Sequence, residues 1–287
     1  MERFRARWLR ELFSLAPKST RITFTIGLAI VLVLIFLFFF PQAVSPRNPY
    51  DIYDSPFCPP SWKNLWGTDT LGRDVYARCV YGSRYSLTAA LVALALSSIA
   101  GVPLGLLSGY VGGKLDGFLS VIMDTFYLFP LIILGMLVSV VLGPTLVNLG
   151  IAAAIGIAPS FYRVVRSITL SVKTRTFVEA EKSMGASSSY IVFRHIMPYV
   201  SSSTSALLSL SVASAVFVVA TLGFLGIGIP PPTPEWGTDL GEGRAGVATG
   251  IWWPSTFPGL MVFFAVIGFN LLGDALASIF NPRLRRL

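Results

Sequence analysis

Six stretches of the chain are apolar for long enough to cross a bilayer, and polar segments of very uneven length separate them. The first runs from Ile22 to Phe40; the others are roughly Tyr85–Leu107, Gly117–Leu142, Asn148–Leu170, Ser201–Gly226 and Ser255–Ile279. About 20 apolar residues in helical form match the thickness of the hydrocarbon layer. Lipid offers no partner to a bare N–H or C=O, so a spanning segment must be a helix or part of a closed barrel. No barrel-like alternation of apolar and polar residues occurs. The pattern predicts an all-α polytopic membrane protein with six transmembrane helices.

An even number of spans puts both chain ends on one side, and charge says which. With the N-terminus inside, 16 Lys and Arg fall on inside segments and 6 on outside ones. Basic residues are retained on the cytoplasmic side, which predicts cytoplasmic N- and C-termini. Arg73, Arg78 and Arg84 run against the rule, with Asp69 and Asp74 beside them as neutralising partners. The first apolar run ends in Pro41-Gln42 without a small-residue cleavage pattern, so it reads as a retained helix and not a removed signal. The expected organisation is a cytoplasmic segment 1–21, a first helix 22–40, an extracytoplasmic segment 41–84, and a five-helix core 85–287. That core contains a cytoplasmic segment, 171–200, and a second long outer loop, 227–254.

Composition narrows the function. The chain is 54% apolar and 13% charged, about half the charge of a soluble domain, and must sit in the cell (plasma or inner) membrane with lipid as solvent. Its net charge of +8 comes from residues flanking apolar runs, which excludes a nucleic-acid partner. The chain has a single histidine, His195, and no clustered metal ligands. It also lacks a Gly-rich loop ending in Lys-Ser/Thr, so it carries no catalytic residues, metal or cofactor of its own. Asp124 and Asp274 lie in or near spans and are expected to bond between helices or cap them; an ion-coupled secondary transporter would need such acids or broken helices. Pro103, Pro130 and Pro159 can kink the second to fourth spans.

The segment 171–200 carries the most information. Phe177 and Glu179-Ala180-Glu181-Lys182-Ser183-Met184 suit a short helix, and Gly185-Ala186 suits a sharp end to it. A serine at 187–189 can cap a second short helix, which Pro198 should stop or bend. Apolar residues on so compact a polar element suggest a docking surface. In the outer loop, Pro230, Pro231 and Pro232 restrict the backbone, while Glu235 and Trp236 offer a rigid amphipathic surface to an external partner. Cys58 and Cys79 both fall in the outer segment, where a disulfide between them is possible.

Glu179-Ala180-Glu181, then Gly185, then Ile196-Met197-Pro198 resembles the Glu-Ala-Ala…Gly…Ile-x-Leu-Pro signature of ABC importer permeases. It departs from that signature at Glu181 and Met197. Gly67-Thr68-Asp69-Thr70-Leu71-Gly72-Arg73-Asp74 is similar to a segment of the second permease of dipeptide, oligopeptide and nickel importers. The stretches Leu225–Gly237, Trp252–Gly259, Phe269–Asp274 and Asn281–Arg285 extend the likeness over residues 22–287. The resemblance implies a type I importer permease fold. It also implies four partners: a homologous permease, two cytoplasmic ATPases that hold the ATP and Mg, and an extracytoplasmic solute-binding protein. In that family the short cytoplasmic helix seats in a groove of the ATPase. Peptides are the first expectation for the cargo, with oligosaccharides second and nickel third.

Overall fold

The computed structural model describes residues 17–280, so the arginines at 3–10 and the motif Asn281–Arg285 lie outside the described residues. Among the described residues nine principal helices follow one another: α1 Lys18–Phe39, α2 Val75–Val111, α3 Gly113–Leu128, α4 Leu131–Leu142, α5 Leu146–Lys173, α6 Thr176–Ser183, α7 Met197–Phe224, α8 Trp236–Val247 and α9 Trp253–Phe280. Among the described residues, α1, α2, α5, α7 and α9 contain apolar windows long enough to cross a membrane.

The third expected span is not one helix. It breaks into α3 and α4, which meet at an angle of 94°. Pro130 has no N–H to continue the ladder, and it forces Phe129 into an extended conformation, φ −71° and ψ 135°. Counted as one bent span, the pair brings the total to six. Pro103 and Pro159 lie inside α2 and α5, which run on through them. The second helix is also longer than its apolar run. It starts at Val75, where the Asp74 carboxylate accepts the N–H of Tyr76 as an N-cap.

Parallel packing of α2 against α5 forms the centre of the bundle. Ala89, Ala93, Ser97, Gly101, Gly105 and Gly109 recur every fourth residue on one face of α2, and all are buried. A Cβ at Gly101 would lie 2.6 Å from the Ala158 carbonyl oxygen, and one at Gly105 would lie 2.7 Å from that of Tyr162. In a bilayer the tails are as apolar as any side chain, so helices associate through such close backbone approach and not by escaping water. Around this pair, Leu149, Phe161, Val216, Leu222 and Ala265 join one continuous buried core.

The loops before α2 and between α7 and α9 fold together at one end of the bundle, forming a cap that includes α8. Trp66 stacks on Phe257 at 4.4 Å, and Trp253 Nε1 donates to the Thr68 carbonyl at 3.1 Å. At the opposite end, residues 174–196 form a compact helical hairpin. α1 starts and α9 ends at this hairpin end.

Gly105→Val should destabilise the chain by about 1–3 kcal/mol or more, because the new methyls must displace backbone and not a flexible side chain. Gly117, with open space around its Cβ position, is the control. The melting temperature of the purified chain should fall for Gly105→Val and stay level for Gly117→Ala.

Candidate functional site

Two polar elements stand out from the bundle, the hairpin and the cap. The hairpin begins at Arg175 and continues into α6. The helix ends in a Schellman arrangement: Gly185 N–H donates to the Lys182 carbonyl and Ala186 N–H to the Glu181 carbonyl, both at 3.0 Å. Gly185 has φ +83°, a conformation that L side chains resist. Ser187 then caps the next turn by accepting the N–H of Tyr190.

Pro198 does not end the second helix. Residues Ile191–Ile196 form a π-helical segment that runs directly into α7, with Pro198 in the first turn of α7. The Met197 N–H reaches back to Val192, and this wider ladder makes room for a proline ring that would strike a regular helix.

Val178 anchors the hairpin. It is fully buried with Leu106, Val165, Val172, Ile191, Ile196 and Val200. Phe177 is half-buried, stacked on Tyr199 with ring centroids 6.3 Å apart. His195 Nε2 lies 3.2 Å from the Glu181 carboxylate, close enough for an ion pair yet not aligned as a hydrogen bond. The opposite surface is bare: Glu179, Ala180, Ser183 and Gly185 are exposed, and Met184 is 74% exposed. Ala186 is half-buried against the apolar cluster beneath.

The cap differs from expectation at two of its five named residues. Pro230, Pro231 and Pro232 are exposed, but Glu235 and Trp236 are completely buried. Trp236 Nε1 donates to the Cys79 carbonyl at 2.8 Å, and its ring occupies the space left by Gly82, where a Cβ would sit 2.9 Å away. Glu235 caps α8 by accepting the Thr238 N–H at 2.8 Å, and its other oxygen accepts the Ser86 hydroxyl at 2.7 Å. Neither residue can present itself to an external partner. The disulfide does not form either. Both cysteines are free, because Cys79 points into the apolar core from α2 while the backbone of Cys58 is held by Thr68.

The arginines that break the positive-inside pattern are neutralised inside the cap. Arg73 is paired with Asp69 at 2.6 Å and with Glu242 at 3.1 Å. Arg78 is bonded to Asp239 and lies 3.6 Å from Asp69, and Arg47 meets Asp74 at 2.9 Å. Arg84 instead donates to the Phe38 and Phe39 carbonyls at the end of α1, where a cation suits the helix dipole. Asp69, Arg73 and Asp74 were legible as a motif; Glu242, which meets Arg73, and Asp239, which meets Arg78, each more than 160 residues away in sequence, were not. Asp239 is the odd member. Its second oxygen has no partner, and burial outweighs the neighbouring guanidinium, pushing the carboxyl up to about 7. Of the two intramembrane acids, Asp124 bonds Arg163 between helices at 2.7 Å, and Asp274 is exposed.

Residues 101–286 match the family described as binding-protein-dependent transport system inner membrane component. The glutathione transport system permease protein GsiD of Pectobacterium atrosepticum is 38% identical over 260 residues, spanning 89% of this chain and 85% of that protein. The probable D,D-dipeptide transport system permease protein DdpC of Escherichia coli is 36% identical over 267 residues, spanning 93% and 89%. The inward-facing MetNI methionine ABC transporter is alike in fold, with a TM-score of 0.57 at 21% identity over 71% of this chain and 96% of that one.

A carboxyl whose folded pKa is raised adds stability at low pH that is lost as pH rises through that value. The melting temperature of the purified chain should therefore fall between about pH 4, the ordinary carboxyl range, and about pH 7, and level off above. Asp239→Asn, which mimics the protonated form, should flatten that slope.

Proposed function

Because the chain belongs to the family of inner-membrane components of binding-protein-dependent transport systems, we propose that it forms half of the translocation pathway of an ATP-driven peptide importer. The observation that carries the coupling role is the hairpin: a short helix, buried on one side through Val178, bare on the other, and ended by a glycine with positive φ. Such an element can seat in a groove of a cytoplasmic ATPase and pass motion into the bundle, because α7 continues from it without a loop. ATP and Mg reside on two ATPase subunits. A second, homologous permease completes the pathway, and an extracytoplasmic solute-binding protein delivers cargo near the exposed Pro230–Pro232. Family membership replaces the ion-coupled secondary transporter as a reading.

Peptides are favoured over oligosaccharides and nickel because the relatives are named for glutathione, D,D-dipeptides and di/tripeptides. Cargo moves as the permeases alternate between inward- and outward-facing states when the ATPases close. Uptake by the reconstituted assembly of a labelled dipeptide, with competition by sugars and nickel, tests the cargo. ATP-dependent uptake of sugar or nickel alone would replace it.

Orientation has its own test. In a chain lacking both native cysteines, a cysteine at position 187 should react with a membrane-impermeant reagent only from the cytoplasm, and one at 231 only from outside.

The coupling assignment predicts a graded series at two positions. Gly185→Val places a β-branched residue where φ is positive, at a cost of about 1–3 kcal/mol. Coupled transport should fall tenfold or more while the spans stay folded. Gly185→Asn, which tolerates that conformation, should keep most activity. Glu179→Ala should act mildly, since an exposed charge pair contributes little. Full coupling in Gly185→Val would overturn the assignment.

A further inference from the structure

An apolar groove of about 450 Å³ lies between the last turns of α2 and the chain entering α7. Leu106, Leu107, Tyr110, Val192, Phe193 and Met197 wall it, and Ser188 and Ser189 line it as well. Several of these walls face outward with nothing over them: Leu107 and Val111 are exposed, and Phe193 is 68% exposed.

Cations gather at one edge. Lys173 Nζ lies 5.8 Å from the centre of the Tyr110 ring, and Lys182 Nζ lies 5.6 Å from it. The two ammonium groups come from different elements, the end of α5 and the middle of α6. Neither has a carboxylate partner among the described residues. Of the acids of this region, Glu181 faces His195 and Asp116 pairs with Arg166, while Glu179 stands exposed on the same helix as Lys182 and forms no ion pair with it. Two ammonium groups near one ring make the local field positive, which favours an anion.

We propose that this groove binds an anionic phospholipid from the inner leaflet, its chain against Leu106, Leu107 and Val192, its phosphate at Lys173 and Lys182. Two features select this ligand over a water-soluble anion or a neutral lipid. The apolar walls are continuous with the lipid-facing side of a spanning helix, so a membrane chain enters sideways without crossing water. Each basic residue near an anionic surface favours association severalfold, and here two converge. The headgroup would bridge the end of α5 to α6. Lipid occupancy would thus steady the hairpin relative to the bundle, a role beyond the transport reading given above.

The test uses the full chain in nanodiscs of phosphatidylcholine with and without phosphatidylglycerol. Native mass spectrometry after detergent transfer should show phosphatidylglycerol retained on the order of tenfold over phosphatidylcholine. The paired change Lys173→Gln with Lys182→Gln should bring that ratio near unity, and Val192→Trp, which fills the groove, should reduce retention of both lipids. A diazirine-bearing phosphatidylglycerol should label wild-type peptides spanning 102–111 and 188–197, a readout that needs no variant to fold. Equal retention of the two lipids by the wild type would overturn the proposal, as would labelling elsewhere on the chain. It would also fail if Val192→Trp blocked ATPase binding while leaving lipid retention intact, because the groove would then belong to the ATPase.

Discussion

The guanidinium of Arg78 holds the cap to the bundle. It sits on α2, almost fully buried, and reaches three separate stretches of chain: the Pro49 carbonyl at 3.3 Å, the Pro232 carbonyl at 3.0 Å, and the carboxylate of Asp239. A buried charge is tolerated only when paired and hydrogen-bonded, and breaking such a pair by removing one partner costs about 3–5 kcal/mol. Five N–H donors in a fixed fork let one side chain satisfy loops that share no secondary structure. The position of α8, and with it the burial of Trp236 and Glu235, follows from that anchoring.

The hairpin is built on a different principle. Its hold on the bundle is apolar and centred on Val178, while its polar groups face outward. Its shape depends on local backbone chemistry: a Schellman end at Gly185, a serine cap at Ser187, and a π-helical segment that accommodates Pro198. The same Schellman arrangement closes α7, where Gly226 has φ +81°, with Gly226 N–H donating to Gly223 and Ile227 N–H to Leu222. An element specified this locally can keep its shape while the helices beneath it shift, which is what the proposed coupling role requires.

Between cap and hairpin lies the α2–α5 pair. Small residues every fourth position bring two backbones together along their whole shared length. The repeat from Ala89 to Gly109 stands in the sequence at the spacing that close-packing helices require. The small residues of α7 divide. Ser209 donates to the Phe269 carbonyl at 2.7 Å, Ala213 and Ala215 are buried, and Ser214 is exposed.

What the sequence determined by itself was most of what short range governs, the passage of the helix through Pro198 excepted. Apolar run length specified the spans, because hydrocarbon thickness leaves little choice. Glycine and serine spacing specified the hairpin, because its turn is made by neighbouring residues. The break at Pro130 was legible as a kink but not as a 94° bend, since a missing N–H says where a helix yields and only packing says how far. The fates of Trp236, Glu235 and Cys79 were decided by tertiary structure alone. A tryptophan in a proline-rich loop serves an interface or a core equally well, and the choice rested on a carbonyl at Cys79 and a gap at Gly82, both on a helix more than 150 residues earlier in the chain. Asp239 and Glu242 likewise stand in an outer loop of the sequence, and folding sets them beside Arg78 and Arg73. Burial turned exposed charges into a network, and burial is a property no single stretch of residues carries.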